Sequence, residues 1–167
     1  MKRGSRAQYV GMGMRMVPNI TKTQVIEHLD LTDNNIVDFL SLGALTNLQV
    51  LIFDHNSLTE QSSIPYLPEL RVFSCNHCCI SNIQLFIRKI QRCFPKLEEL
   101  SLLMSPCCQA FSSNQQERLD YRLYIVSQLH NLKMLDMTEI TDEERLLAQR
   151  KHSLMTQPKT HQYTFIQ

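Results

Sequence analysis

The 167-residue sequence predicts an α/β fold of solenoid type, with short parallel strands lining a concave face and turns and helices returning across the convex side. Three observations predict it. One eleven-position apolar frame recurs at steps of 22 and 27 residues, its ninth position is asparagine or a small substitute, and helical periodicity appears only in the longer spacers between frames. A unit of this kind cannot bury its apolar face alone, so neighbours must stack into one continuous core.

The frame reads apolar-x-x-apolar-x-apolar-x-x-Asn-x-apolar. Ile26, Leu29, Leu31, Asn34 and Ile36 fill it first, and Leu48, Leu51, Phe53, Asn56 and Leu58 fill it 22 residues later. Another step of 22 reaches Leu70, Phe73, Cys75, Cys78 and Ile80, and a step of 27 reaches Leu97, Leu100, Leu102, Ser105 and Cys107. At the ends lie atypical units: Tyr9, Met12, Met14 and Val17 before the first frame, and Leu132, Leu135, Met137 and Ile140 after the fourth. Such units close the core of a solenoid.

These frames resemble the leucine-rich-repeat family over roughly residues 9 to 140. The resemblance implies an N-terminal half-repeat cap over 1–24, repeats over 25–118, a C-terminal cap with its helix over 119–152 and a flexible tail over 153–167. Because side chains alternate along a strand, positions 4 and 6 point inward and positions 3, 5 and 7 face the concave surface. Position 9 turns inward, where an asparagine side chain bonds the backbone of the turn and cysteine is the usual substitute. Ser105 departs from that pattern before Pro106, so its turn is expected to be held differently.

The frame decides how to read Ser74-Cys-Asn-His-Cys-Cys79, a C-x-x-C beside a histidine. As a zinc site it needs two further ligands, and no second C-x-x-C or H-x-x-H pair supplies them. In the frame, Cys75 holds position 6 and Cys78 position 9, both inward, while His77 leaves toward the concave edge. No metal and no cofactor are expected. Six cysteines with adjacent pairs at Cys78-Cys79 and Cys107-Cys108, and none before residue 75, do not spread like a disulfide framework, so reduced thiols in the cytosol are expected.

A net charge of +1 gives no long-range field toward nucleic acid or anionic lipid. No run approaches the roughly 18 apolar residues of a membrane span, and membrane insertion is not expected.

Stacked about 4.8 Å apart, the frames form columns. Column 3 is His28, Val50, Val72, Glu99 and Met134; column 5 is Asp30, Ile52, Ser74, Ser101 and Asp136; column 7 is Thr32, Asp54, Asn76, Leu103 and Thr138; column 8 is Asp33, His55, His77, Met104 and Glu139. Val50, Ile52 and Val72 should lie exposed together, Leu103, Met104 and Met134 farther along, with Asp30, Asp33 and Asp54 on the rim. An apolar centre with a polar rim suits protein docking. The expected partner-binding residues are Asp30, Val50, Ile52, Asp54, Val72, Leu103 and Met104. Asp54, His55 and His77 have the residue types of a catalytic cluster, but an open face offers neither a deep pocket nor a nucleophile in a strained turn, and no enzyme is expected. Direct RNA binding wants a basic face with exposed aromatics, and columns 3, 5 and 7 hold none.

Among the return segments, Phe39, Leu42 and Leu45 anchor the first, and Ile64 and Leu67 the second. Ile83, Phe86, Ile87 and Ile90 share a helical face after Ser81 or Asn82 as N-cap, and Leu119, Leu123, Val126 and Leu129 repeat the arrangement. Thr141 and Glu144 form a capping box for a last helix ending near Arg150.

The segment from Asp120 to Asp136, through Tyr121, Tyr124, Leu132 and Leu135, resembles the cap of cytosolic leucine-rich-repeat proteins. The order of repeats, with the Pro-Cys-Cys of the fourth, resembles members that act in melanocyte differentiation. That resemblance implies a monomeric, non-catalytic cytoplasmic adaptor in melanosome or endolysosomal trafficking that engages a Rab-type small GTPase and reaches melanosome or endosome membranes through a partner. The cap also resembles the spliceosomal U2 leucine-rich-repeat proteins, which implies a ribonucleoprotein scaffold as the alternative.

Overall fold

The computed structural model describes residues 5–21 and 23–156, with side chains through Lys151. Among them one sheet holds seven strands in chain order. β1 (Ser5–Gln8), β2 (Ile26–Asp30), β3 (Val50–Ile52), β4 (Val72–Ser74), β5 (Glu99–Ser101) and β6 (Met134–Leu135) are parallel, and β7 (Thr138–Glu139) returns antiparallel to β6. The helices α1 (Ile83–Cys93), α2 (Gln115–Gln128) and α3 (Asp142–Thr156) occupy the later spacers, while the first return carries only a 3₁₀ turn over Leu40–Ala44.

Register follows the frame. Leu29 lies opposite Leu51, Leu51 opposite Phe73, Phe73 opposite Leu100 and Leu100 opposite Leu135, so the fourth position of every unit shares one inward row. A one-residue slip would turn each of these side chains to water, which fixes the pairing. Beneath the row, Phe39 packs on Phe53 at 5.0 Å and on Phe73 at 6.0 Å between ring centroids, and Phe94 meets Phe73 edge-on at 5.3 Å. All four rings are buried. Each contributes about 1.5–3 kcal/mol of transfer free energy.

Position 9 ties each coil to the one before. The Asn56 amide donates to the carbonyls of Leu31, Phe53 and Asp54, and its Oδ1 accepts from the Ile36 N–H at 2.9 Å. Asn34 does the same for the N-terminal unit, accepting from the N–H groups of Met12 and Met14 and donating to the Tyr9 carbonyl at 2.7 Å. Cys78 keeps one weak donation, from Sγ to the Phe53 carbonyl at 3.5 Å. Ser105 holds its turn with a single hydroxyl, which accepts from the Cys78 N–H and donates to the Cys75 carbonyl, both at 3.2 Å.

The helices start where side chains can cap them. Asn82 accepts from the Leu85 N–H, Asn114 from the Gln116 and Glu117 N–H groups, and Thr141 and Glu144 exchange the two bonds of a capping box. Helix α1 buries Phe86, Ile87 and Ile90 as the periodicity predicts.

Several expectations are corrected by the structure. Strand β1 begins at Ser5, upstream of the frame's first apolar residue, because "SRAQ" pairs through its backbone and carries no apolar pattern. In the cap the chain turns back after Leu135. Asp136 (φ 50°) and Met137 (φ 62°) form the two-residue turn of the β6–β7 hairpin, where both central residues must be left-handed. Met137 is therefore 79% exposed and not inward, and Asp136 is buried and not part of column 5. Thr138 and Glu139 lie on the return strand β7. Leu119 is 38% exposed, while α2 buries Tyr121, Leu123, Ile125 and Val126, because α3 and α1 pack against it and its inner face joins the common core. The last helix runs past Arg150 to Thr156, and the expected tail beyond it lies outside the described residues.

Candidate functional site

The concave columns are assembled by backbone register. His28 stands beside Val50, Val50 beside Val72, Val72 beside Glu99 and Glu99 beside Met134, while Asp30, Ile52, Ser74 and Ser101 form the second row. Val50, Ile52 and Val72 are half-buried rather than fully exposed, since close strands screen one another's β-branched side chains. Leu103 is half-buried and Met104 is 62% exposed. β1 extends the face with Arg6 opposite His28 and Gln8 opposite Asp30, two residues that the frame, beginning at Tyr9, does not reach. A shallow cavity of about 190 Å³ lies among Gln8, His28, Asp30, Val50 and Ile52.

Of the acidic rim, Asp30 and Asp54 are engaged by their neighbours, while Asp33 is exposed. Asp30 Oδ1 accepts from the Thr32 N–H at 3.0 Å and the Thr32 hydroxyl at 2.6 Å. Asp54 Oδ1 accepts from the Ser74 hydroxyl at 2.6 Å and the Asn76 N–H at 2.9 Å, and Asn76 Oδ1 in turn accepts from the Ser101 hydroxyl and the Leu103 N–H. A polar ladder thus holds the strand ends from Asp54 to Leu103. Sequence alone gave residue types here but not this chain of bonds, which depends on seventh positions meeting across coils.

Column 8 has a shared backbone state. Asp33, His55, His77 and Met104 have φ of 58°, 53°, 51° and 61°, a left-handed conformation that turns the strand into its loop. The exposed rings of His55 and His77 stack with centroids 4.1 Å apart and planes at 14°. Parallel rings direct their nitrogen lone pairs side by side and not toward a common centre. Cys75 and Cys78 are buried, with Sγ donations to the Ser101 carbonyl at 3.6 Å and the Phe53 carbonyl at 3.5 Å. Burial raises both thiols, Cys78 to about 11 and Cys75 well above its ordinary value, and pushes Cys107 up to about 12. Neutral thiols are poor nucleophiles and poor ligands. Among the described residues no three histidine, cysteine or acidic side chains gather as a metal group.

Among the described residues, two further cavities that lie off the concave face bear on function. One of about 710 Å³ is lined by Ile83, Arg88, Cys107, Tyr124, Ala148 and Lys151 on the helical side. The other, of about 380 Å³, opens between the loop at Phe111, the first turns of α2 and the cap hairpin. No helix among the described residues is long and apolar enough to cross a membrane.

Comparison with known proteins places the chain. It is 31% identical over 108 residues to the human leucine-rich melanocyte differentiation-associated protein, covering 62% of this chain and 54% of that one. It is 28% identical over 141 residues to the U2 small nuclear ribonucleoprotein A' of Arabidopsis thaliana, covering 83% and 53%. The chain spans about half the length of these curated relatives. In fold it superposes on a chain of the Drosophila melanogaster SNF/U2A' complex with a TM-score of 0.74 at 22% identity, over 90% of this chain and 86% of that one. The sequence model of the leucine-rich repeat matches residues 3–160, and with the parallel register and the turn-binding asparagines this makes the chain a member of the leucine-rich repeat family.

Proposed function

We propose that the chain is a non-catalytic docking module whose concave face holds a protein partner through Asp30, Val50, Ile52, Asp54, Val72, Leu103 and Met104. One observation carries this: β-branched apolar side chains from adjacent strands lie in register on an open face, with hydrogen-bonded carboxylates beside them. An apolar centre bordered by satisfied polar groups loses little on desolvation and gains by being covered. The finer reading is an adaptor in melanosome or endolysosomal trafficking, with a Rab-type small GTPase as the partner. Likeness to the human leucine-rich melanocyte differentiation-associated protein supports only the melanocyte setting of that reading.

A second reading, a ribonucleoprotein scaffold, draws on the greater share of this chain matched by the U2 relative, 83% against 62%. Its partner would again be a protein. Immobilised full-length chain is incubated with cytosol in the presence of a non-hydrolysable GTP analogue or GDP. Retention of a small GTPase with the analogue alone supports the adaptor; nucleotide-independent retention of an RNA-binding protein supports the scaffold and overturns it.

A further inference from the structure

Beyond the concave face, we infer that the cavity between the Phe111 loop and the cap hairpin is a second docking site, for a short partner segment presenting a large apolar side chain beside a carboxylate. The cavity, about 380 Å³, is at the small end of pockets that receive single anchoring side chains or small ligands. Phe111 and Leu119 line it, and Phe111 is 74% exposed. Met137 sits at the hairpin tip between the lining residues Asp136 and Thr138, 79% exposed and in a left-handed backbone conformation. An unbranched apolar residue gains nothing locally from that combination of strain and exposure.

Charge sets the occupant. Three charged side chains line the cavity: Arg122 pairs with Glu144, and the buried Asp136 carboxylate accepts from the Leu102 N–H and the Tyr121 hydroxyl. Arg118 differs. It donates to the Ser112 carbonyl, which carries no formal charge, and no carboxylate lies within ion-pair distance of it among the described residues. A half-buried guanidinium with spare donors beside exposed Phe111 favours an apolar anchor next to an acidic group, the pairing that aromatic and arginine hot spots make.

The test is selection of random 12-residue peptides displayed on phage against the full chain, followed by affinity measurement with synthetic copies of the enriched peptides. Enriched peptides should carry an aromatic or large aliphatic residue within two positions of Asp or Glu. Their affinity should fall at least tenfold on Phe111→Ser and on Arg118→Glu, and stay unchanged on the concave variant Ile52→Arg. Phe111→Ser alters a solvent-facing side chain, so it decides the matter if Arg118→Glu fails to fold. No enrichment, enrichment without an acidic residue, or equal binding to Phe111→Ser would overturn the inference. So would loss on Ile52→Arg alone, or a concentration-dependent dimer in sedimentation that Phe111→Ser abolishes, which would give this face to a second copy of the chain.

Discussion

The Tyr121 hydroxyl donates a 2.8 Å hydrogen bond to Oδ2 of Asp136, which is 8% exposed, while Oδ1 of the same carboxylate accepts from the Leu102 N–H at 2.8 Å. Helix α2, the hairpin turn and the last full repeat therefore meet at one acidic side chain. Tyr121→Phe removes a donor to a buried, charged acceptor. The variant should lose about 1–3 kcal/mol in urea denaturation at neutral pH.

Burial raises the pKa of Asp136 above its ordinary value despite the bonds that lower it. A carboxyl whose folded pKa is raised stabilises the fold most when protonated, and that contribution is lost as pH rises through the folded value. Asp136→Asn does not titrate. Relative to the wild type, its stability should improve between pH 4 and pH 7, and equal pH slopes for the two proteins would contradict the assignment.

Position-9 residues should differ by the bonds they make. Asn56→Ala strands one backbone donor and carbonyls of two coils, whereas Ser105→Ala strands one donor and one acceptor. The first should cost more, about 2–4 kcal/mol against about 1–2 kcal/mol in denaturant titration. Equal losses would mean that the asparagine ladder does not tie the coils.

The "SCNHCC" stretch should hold no metal. Elemental analysis of dialysed protein should find no stoichiometric zinc, and Cys75→Ala should cost roughly 1 kcal/mol through packing. Among the cysteines, exposed Cys79 should react first with a thiol reagent, and buried Cys75, Cys78 and Cys107 last. About one zinc per chain, lost in Cys78→Ser, would contradict this.

Much of this architecture is legible because the frame has a fixed period: a 22-residue step places Leu29, Leu51 and Phe73 in one row before any contact is known. The cap is less legible. Leu132, Leu135 and Met137 continue the apolar spacing, yet the chain reverses at Asp136-Met137 without the glycine that usually marks a two-residue hairpin turn. Leu119 and Tyr121 illustrate a second limit. Helix α2 packs against α3 and α1 as well as the common core, so its buried residues spread beyond the single stripe that periodicity assumes. On the concave face the column membership of Ile52 and Asp54 is readable, but the bonds of Asp54 to Ser74 and Asn76 depend on side-chain geometry across two coils.

The most direct measurement is Ile52→Arg, because Ile52 lies on the concave row between the inward, fully buried Leu51 and Phe53. Binding of the partner retained in the nucleotide-dependent capture should weaken by about 2 kcal/mol or more, as at the centre of an interface, with the melting temperature almost unchanged. Wild-type binding by Ile52→Arg, together with loss of binding in Arg88→Glu on the helical side, would contradict the concave-face account.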